Sequence, residues 1–293
     1  MTEPAGTIAA DKPQAAPRSE LAEFWRRFSR HRLAVVSVVV LILVAVLSIA
    51  APLLSPYAFD AQDLDLMGLP YPPSSTHWLG TDSLGQDNFT RLLYGGQISF
   101  AVGIAAAVVS IAIGTLVGAI SGFYRGWVDV VLMRFTDVVL AIPPLPLILL
   151  LAGLVRPSVP VLILIIGALG WMSTARLVRS EFLSLREREF VESARALGST
   201  NRRLIWRHML PNALAPLIVA ATLAVGYSIL VESALSFLGF GVQPPTPSWG
   251  NLLNQARQYL DSAPWLAVPP GAMILVTMLA VNFIGDGLRD ALE

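Results

Sequence analysis

Six stretches of about twenty residues or more, in which apolar side chains run almost without interruption, constrain this chain more than any other feature. They cover residues 33–54, 98–123, 130–155, 159–177, 213–231 and 266–284. A helix rises about 1.5 Å per residue, so roughly 20 residues cross the ~30 Å hydrocarbon layer of a bilayer. Such segments must be helical, because lipid offers the backbone no hydrogen-bond partner. Composition agrees. Hydrophobic residues make up 55% and charged residues 14%, with a mean hydropathy of +0.64. Soluble chains carry about 25% charged residues. The expected fold class is an all-α polytopic membrane protein with six transmembrane helices.

The intervening segments divide the chain. Residues 1–30 begin polar, with Pro13 and Pro17 and no signal-peptide apolar region, and read as a disordered cytoplasmic tail. The first transmembrane helix occupies 31–56, behind Arg26, Arg27, Arg30 and Arg32, and closes at Pro52 and Pro56. A polar loop, 57–97, is rich in Pro, Gly and Asp. A five-helix core, 98–288, contains a large polar loop at 178–212, and residues 289–293 form the C-terminal end. Only Arg91, Arg156 and Arg257 lie on one side of such a six-span chain, leaving seventeen of the twenty Lys/Arg on the other. The positive-inside rule then places both termini and the 178–212 loop in the cytoplasm and 57–97 outside. Localisation follows: a multi-pass protein of the inner or plasma membrane.

Several function classes drop out. There is no cysteine, and His31, His77 and His208 are not at metal-ligand spacing, so neither a thiol nor a metal site is expected. A net charge of zero implies no nucleic-acid partner. Lys12, the sole lysine, lies in the tail, so no P-loop lysine exists to reach nucleotide phosphates. No span contains a histidine, which argues against an intramembrane hydrolase. The chain is not expected to be an enzyme or to hold a cofactor.

Polar and breaking residues within the spans mark candidate sites. Gly114 and Gly118 form a G-x-x-x-G step, where helices approach closely. Pro143, Pro144 and Pro146 interrupt the third span, a break tolerated in lipid only against protein or a cavity. Ile142 and Leu145, one turn apart, are therefore candidates for a narrow apolar gate. Glu232 falls near the outer end of the fifth span, either capping the turn at Ser233 or meeting a ligand ammonium or gate partner. Asn282 in the sixth span serves either the pathway or packing. Arg134 and Asp137 are spaced to pair on one helical face, and Asp286 and Arg289 to form a solvated pair. Trp171, Trp249 and Trp265 fit interfacial belts.

The 178–212 loop is too polar for lipid and rich in helix formers. Leu183, Phe190, Ala194, Leu197 and Ile205 supply apolar faces, Gly198 is a natural helix end, and Ser199-Thr200-Asn201 offers a cap for the next helix. Its run Glu192-Ser193-Ala194-Arg195-Ala196-Leu197-Gly198, with Leu210-Pro211 at matching spacing, resembles the EAA loop of ABC importer permeases. Ser193 stands where that family has its second alanine, and His208 where isoleucine is usual. Two more segments resemble the dipeptide, oligopeptide and nickel branch: His77-Trp78-Leu79-Gly80-Thr81-Asp82 continuing to Gly95, and Glu232-Ser233-Ala234-Leu235-Ser236-Phe237 continuing to Gly250. The latter is similar to the C-type subunit.

This resemblance implies a type I ABC importer permease fold. It also implies a B-type homologous permease subunit, two ATP-binding cassette subunits carrying ATP and Mg, and an extracytoplasmic solute-binding protein. Glu192, Ser193, Ala194, Leu197, Gly198, Leu210 and Pro211 would then couple to the ATPases. The solute would be a di- or oligopeptide, with nickel, glutathione or another small solute as alternatives. A self-contained secondary transporter is a weaker rival, because no inverted repeat or coupling-ion charge set is found.

Cysteines introduced singly at Ser74 and Ser199 of this cysteine-free chain should react from opposite sides of the membrane. An impermeant maleimide is expected to label Ser74→Cys in intact spheroplasts and Ser199→Cys only after lysis. Labelling from one side would overturn the six-span topology.

Overall fold

The computed structural model describes residues 20–155 and 158–292. Among them, the ordered elements are helices, and strand pairing is limited to one isolated bridge between Thr81 and Asp87. Helix α1 (Glu20–Arg30) meets α2 (Arg32–Ile49) at His31, whose Nδ1 accepts the Ala34 N–H at 3.1 Å. Residues 20–30 are therefore a helix and not the end of an unstructured tail; residues 1–19 of that tail lie outside the described residues. Phe28 on α1 is buried against Ala34 and Ala291, docking α1 on the last turns of the final helix. A short α3 (Ala51–Leu54) ends the first segment.

The polar loop ends sooner than expected, at Asp87. Its carboxylate accepts the Thr90 N–H at 2.8 Å and so starts α4 (Asn88–Tyr124) ten residues before the apolar run. At 37 residues α4 is about 55 Å long, well beyond a ~30 Å hydrocarbon layer. It is therefore longer than a span needs to be.

The next two spans are broken. α5 (Gly126–Leu140) and α6 (Pro144–Leu154) meet at 83°, and α7 (Val159–Gly170) and α8 (Met172–Leu185) at 43°. The first break falls where the prolines placed it: Pro143 is extended and Pro144 opens α6. The second was not expected, and the 159–177 segment is in fact two helices divided at Trp171. Trp171 is buried there and stacks on Phe135, 6.2 Å between centroids, so it is no interfacial anchor.

Helices α9 (Glu189–Ala196) and α10 (Asn201–Arg203) form the polar loop; a π-turn and a 3-10 turn then lead into α11 (Leu214–Phe237). After α12 (Trp249–Ala256) comes α13 (Val268–Leu292). Four described helical segments are long and apolar enough to span alone, or six if each bent pair counts as one.

Contact between α4 and α8 organises the bundle, and glycine makes it possible. A Cβ on Gly114 would fall 2.6 Å from Thr174 and 2.7 Å from the Trp171 carbonyl. One on Gly118 would sit 2.4 Å from the Ala175 carbonyl, and one on Gly122 2.7 Å from Phe182. The G-x-x-x-G step thus extends one turn further than the sequence suggested. Gly118→Leu is expected to lower stability by about 1–3 kcal/mol, as overpacking does. Gly271→Ala, whose nearest neighbour is 3.8 Å away, is expected to be nearly neutral in the same detergent melt. Equal melting of the two variants would contradict the close approach.

Candidate functional site

The 178–212 segment folds into a helix-turn-helix fastened from beneath. Val191, Ala194, Leu204 and Met209 are buried against Phe123, Val178, Phe182 and Leu217, joining α9 to α4, α8 and α11 in one apolar cluster. Leu204 and Met209 are five residues apart, and the π-turn over Leu204–Met209 sets them on the same side. An ordinary α-turn repeats at 3.6 residues, so a sequence reading misses this pair. The expected apolar set shares only Ala194 and Ile205 with the observed cluster.

Polar contacts complete the fastening. Arg186 donates to the Phe123 carbonyl at 2.5 Å, and Arg125 donates to the Leu183 carbonyl at 3.4 Å and to Glu187 at 2.8 Å. Partial burial, with Arg125 and Arg195 close by, lowers the Arg186 pKa below the ordinary arginine value, yet guanidinium stays charged at cellular pH. Arg179 grips Asp129 through two hydrogen bonds of 2.5 and 2.6 Å, and Ser121 donates to the same carboxylate. Asp137 pairs with Arg176 at 2.6 Å and not, as its spacing suggested, with Arg134.

The outer face of this loop carries the other sequence-predicted residues. Glu192 and Ser193 are exposed, and Leu197 stands out at 87% exposure beside Phe190 and Trp206. Leu197 and Phe190 were expected to pack inward and instead face outward. Gly198 has φ +80°, and the Ser199 N–H returns to the Ala194 carbonyl at 3.1 Å, closing α9 in a left-handed turn. Thr200 caps the following helix through the Arg203 N–H. Leu210 packs on the buried cluster, while Pro211 opens the last turn before α11 and is exposed.

A cavity of about 460 Å³ lies among α4, α5, α6, α7, α8 and α11. Its wall is hydrocarbon relieved by Ser110, Ser173, Thr174, Tyr227 and Ser228, without a charged side chain among the described lining residues. Ile142 lines this cavity. Leu145 is exposed but lies outside the lining. Asn282 is exposed and donates to the Met278 carbonyl of its own helix at 2.8 Å.

Glu232 holds a structural position, one of the two readings its sequence context offered. It is fully buried, accepting from Ser236 at 2.7 Å and from Ser99 on α4 at 3.1 Å, with Ser233 at 3.4 Å. It ties α11 to α4. The two main serines extend the tie outward: Ser99 accepts the Trp249 N–H at 3.3 Å and Ser236 the Val242 N–H at 3.0 Å. Trp249 is buried too, donating to the Leu92 carbonyl at 3.1 Å, and is no interfacial residue.

Residues 114–293 match the family described as binding-protein-dependent transport system inner membrane component. Residues 19–73 match the N-terminal TM domain of oligopeptide transport permease C. The dipeptide transport system permease protein DppC of Alkalihalophilus pseudofirmus is 40% identical over 301 residues, covering 100% of this chain and 98% of the relative. The oligopeptide transport system permease protein OppC of Mycobacterium tuberculosis is 43% identical over 270 residues, 92% of each. In fold, the chain is similar to an inward-facing structure of the MetNI methionine ABC transporter, with a TM-score of 0.56 at 18% identity. That alignment covers 69% of this chain and 96% of the other. An all-α bundle with an internally fastened polar loop, matched along its whole length by permease subunits, admits one assignment: this chain belongs to the binding-protein-dependent transport system inner membrane components, in the dipeptide and oligopeptide permease branch.

Proposed function

We propose that this chain forms half of the translocation pathway of an ATP-driven importer for di- and oligopeptides. The other half is a B-type homologous permease. Two ATP-binding cassette subunits, holding ATP and Mg, engage the 178–212 loop from the cytoplasm, and an extracytoplasmic solute-binding protein delivers the peptide. The observation that carries this reading is the two-sided construction of α9. Its inner side, through Val191 and Ala194, joins the buried cluster that the π-turn shares with α4, α8 and α11, while Leu197, Phe190 and Trp206 present apolar surface outward. A displacement of the outer side is thus passed to three membrane helices, because packed interiors shift as units and do not deform smoothly. Support for peptides as solute comes from the names of the relatives and from the neutral, hydroxyl-bearing cavity wall, which suits solutes of varied side-chain charge.

The turn at Gly198 tests the lever. Nothing lies within 4 Å of an added Cβ there, so a substitution acts through backbone strain alone. Valine in a left-handed position costs about 1–2 kcal/mol, enough to shift a two-state loop roughly tenfold. Gly198→Val is expected to cut peptide uptake and solute-stimulated ATPase activity of the assembled complex, whereas Gly198→Asn, which tolerates this conformation, retains most of both. Full coupling in the valine variant at normal assembly would overturn the lever.

The pathway wall is tested by thiol access. Cysteines at Ile142, Ser173 and Tyr227 are expected to change their rate of labelling by a small polar reagent between nucleotide-free and ATP-trapped states, and one at Leu145 to change less. State-independent rates at the first three positions would remove this cavity from the pathway.

A further inference from the structure

Where α1 meets α2, the chain passes from charged to apolar within a single residue. Arg32 opens α2, and no charged side chain follows it before Asp60. Arg32, Val36 and Val39 are one and two turns apart, so they share one stripe of the helix. Val36 and Val39 are each more than half exposed. Arg32 thus heads an exposed apolar stripe, and an arginine at the end of a span carries its guanidinium to the level of the headgroups.

α1 is held at this level by packing. Phe28 is buried against Ala34 and Ala291, and a Cβ added to Gly287 would fall 2.4 Å from the Ala34 Cβ and 3.2 Å from the Phe28 ring. The start of α2 and the end of α13 therefore fix where α1 lies. On α1 itself Phe24, Trp25 and Phe28 fall on one side of the helical wheel, and Arg26, Arg27 and Arg30 on the other. Trp25 stacks on Phe28 at 6.0 Å between centroids and is still 67% exposed. An exposed indole beside the end of a span suits the headgroup layer.

Charge singles out two of the arginines. Arg26 and Arg27 share Glu23, at 3.7 and 2.9 Å, and Asp290 lies 3.9 Å from His31 Nε2. Arg30 and Arg32 are exposed, and among the described residues neither has an acidic partner within salt-bridge distance. Two unpaired guanidinium groups flanking one residue, at the head of an exposed apolar stripe, match a phosphate whose acyl chains follow that stripe.

We propose that Arg30 and Arg32 bind the phosphate of an anionic phospholipid, whose acyl chains lie along Val36 and Val39 and whose headgroup is flanked by Trp25. The arginine asymmetry of the chain assigns this lipid to the inner leaflet. The site is independent of the import function, since it rests on α1, α2 and α13 alone.

The test uses the full chain in phosphatidylcholine nanodiscs, with Ser29→Cys carrying a bimane fluorophore as a local reporter in this cysteine-free chain. Doxyl-labelled phosphatidylglycerol or doxyl-labelled phosphatidylcholine is titrated in as quencher. Half-quenching is expected at a clearly lower mole fraction of the anionic lipid. Arg30→Gln and Arg32→Gln should each raise that fraction by about fivefold, the usual contribution of one basic residue at a membrane surface, and together they should erase the difference between the lipids. Lysine at both positions keeps the charge and should keep the preference, as should Arg202→Gln, remote in the 178–212 loop. If the double glutamine variant does not fold, the two single variants decide. Equal quenching by the two lipids, or an unchanged preference in the glutamine variants, would overturn the site. Inorganic phosphate displacing the lipid better than chloride at equal ionic strength would overturn the lipid in favour of a free anion. A reporter quenched by neither lipid would overturn it in favour of an acidic protein surface.

Discussion

Between helices in a bilayer there is no hydrophobic drive to associate, since lipid tails are as apolar as leucine, and what remains is close packing and hydrogen bonding. In this chain that condition is met chiefly where α8 lies along α4. Gly114, Gly118 and Gly122 leave no side chain on one stripe of α4, and Thr174, Ala175 and Phe182 of α8 occupy the room. The polar loop hangs from this contact. α8 runs on into the turn at Arg186, the turn into α9, and the buried faces of α9 and the π-turn return to Phe123 and Phe182. Here the same two helices make the close contact in the membrane and form the floor beneath the loop.

Polar groups at depth play the complementary part. Glu232 is buried without a cation, its oxygens facing the hydroxyls of Ser99, Ser233 and Ser236. Burying such a group is costly unless its hydrogen bonds are made. Once they are made, the geometry of α4, α11 and the start of α12 follows from them. Asp129 with Arg179 and Ser121 does the same at the opposite end of α4. Two polar clamps thus bracket a bundle whose middle is held by small residues. The α5–α6 pair bends by 83° beyond the clamp at Asp129 and leaves Ile142 and Leu145 exposed.

The outer end differs in kind. The loop before α4 is dense in internal hydrogen bonds, with His77 held by Asp87 at 2.9 Å and stacked on Tyr57. At its inner edge Arg91 and Trp265, with Thr81 and Gln86 of the loop, leave buried polar atoms without a partner among the described residues.

Much of this protein was legible without coordinates. Hydrophobic run length alone determined the class of fold, since lipid permits a lone chain few alternatives to helices. The prolines at 143, 144 and 146 located the main break, and Gly198 with Thr200 located the turn of the loop, because each acts through its own backbone. The run around Glu192 located a short helix of the polar loop for the same local reason. What the sequence could not determine were matters of which side a residue faces and what it meets there. Leu197 and Val191 are both apolar and six residues apart, and only the packing of α9 on Phe182 turned one outward and the other in. Trp171 and Trp249 looked like interfacial residues by type and became core residues by contact, and Asp137 found Arg176 across a helix interface before Arg134 along its own. Local chemistry is written along the chain, whereas burial and pairing depend on residues 150 or more positions away, such as Ser99 beneath Trp249, and so belong to the tertiary structure.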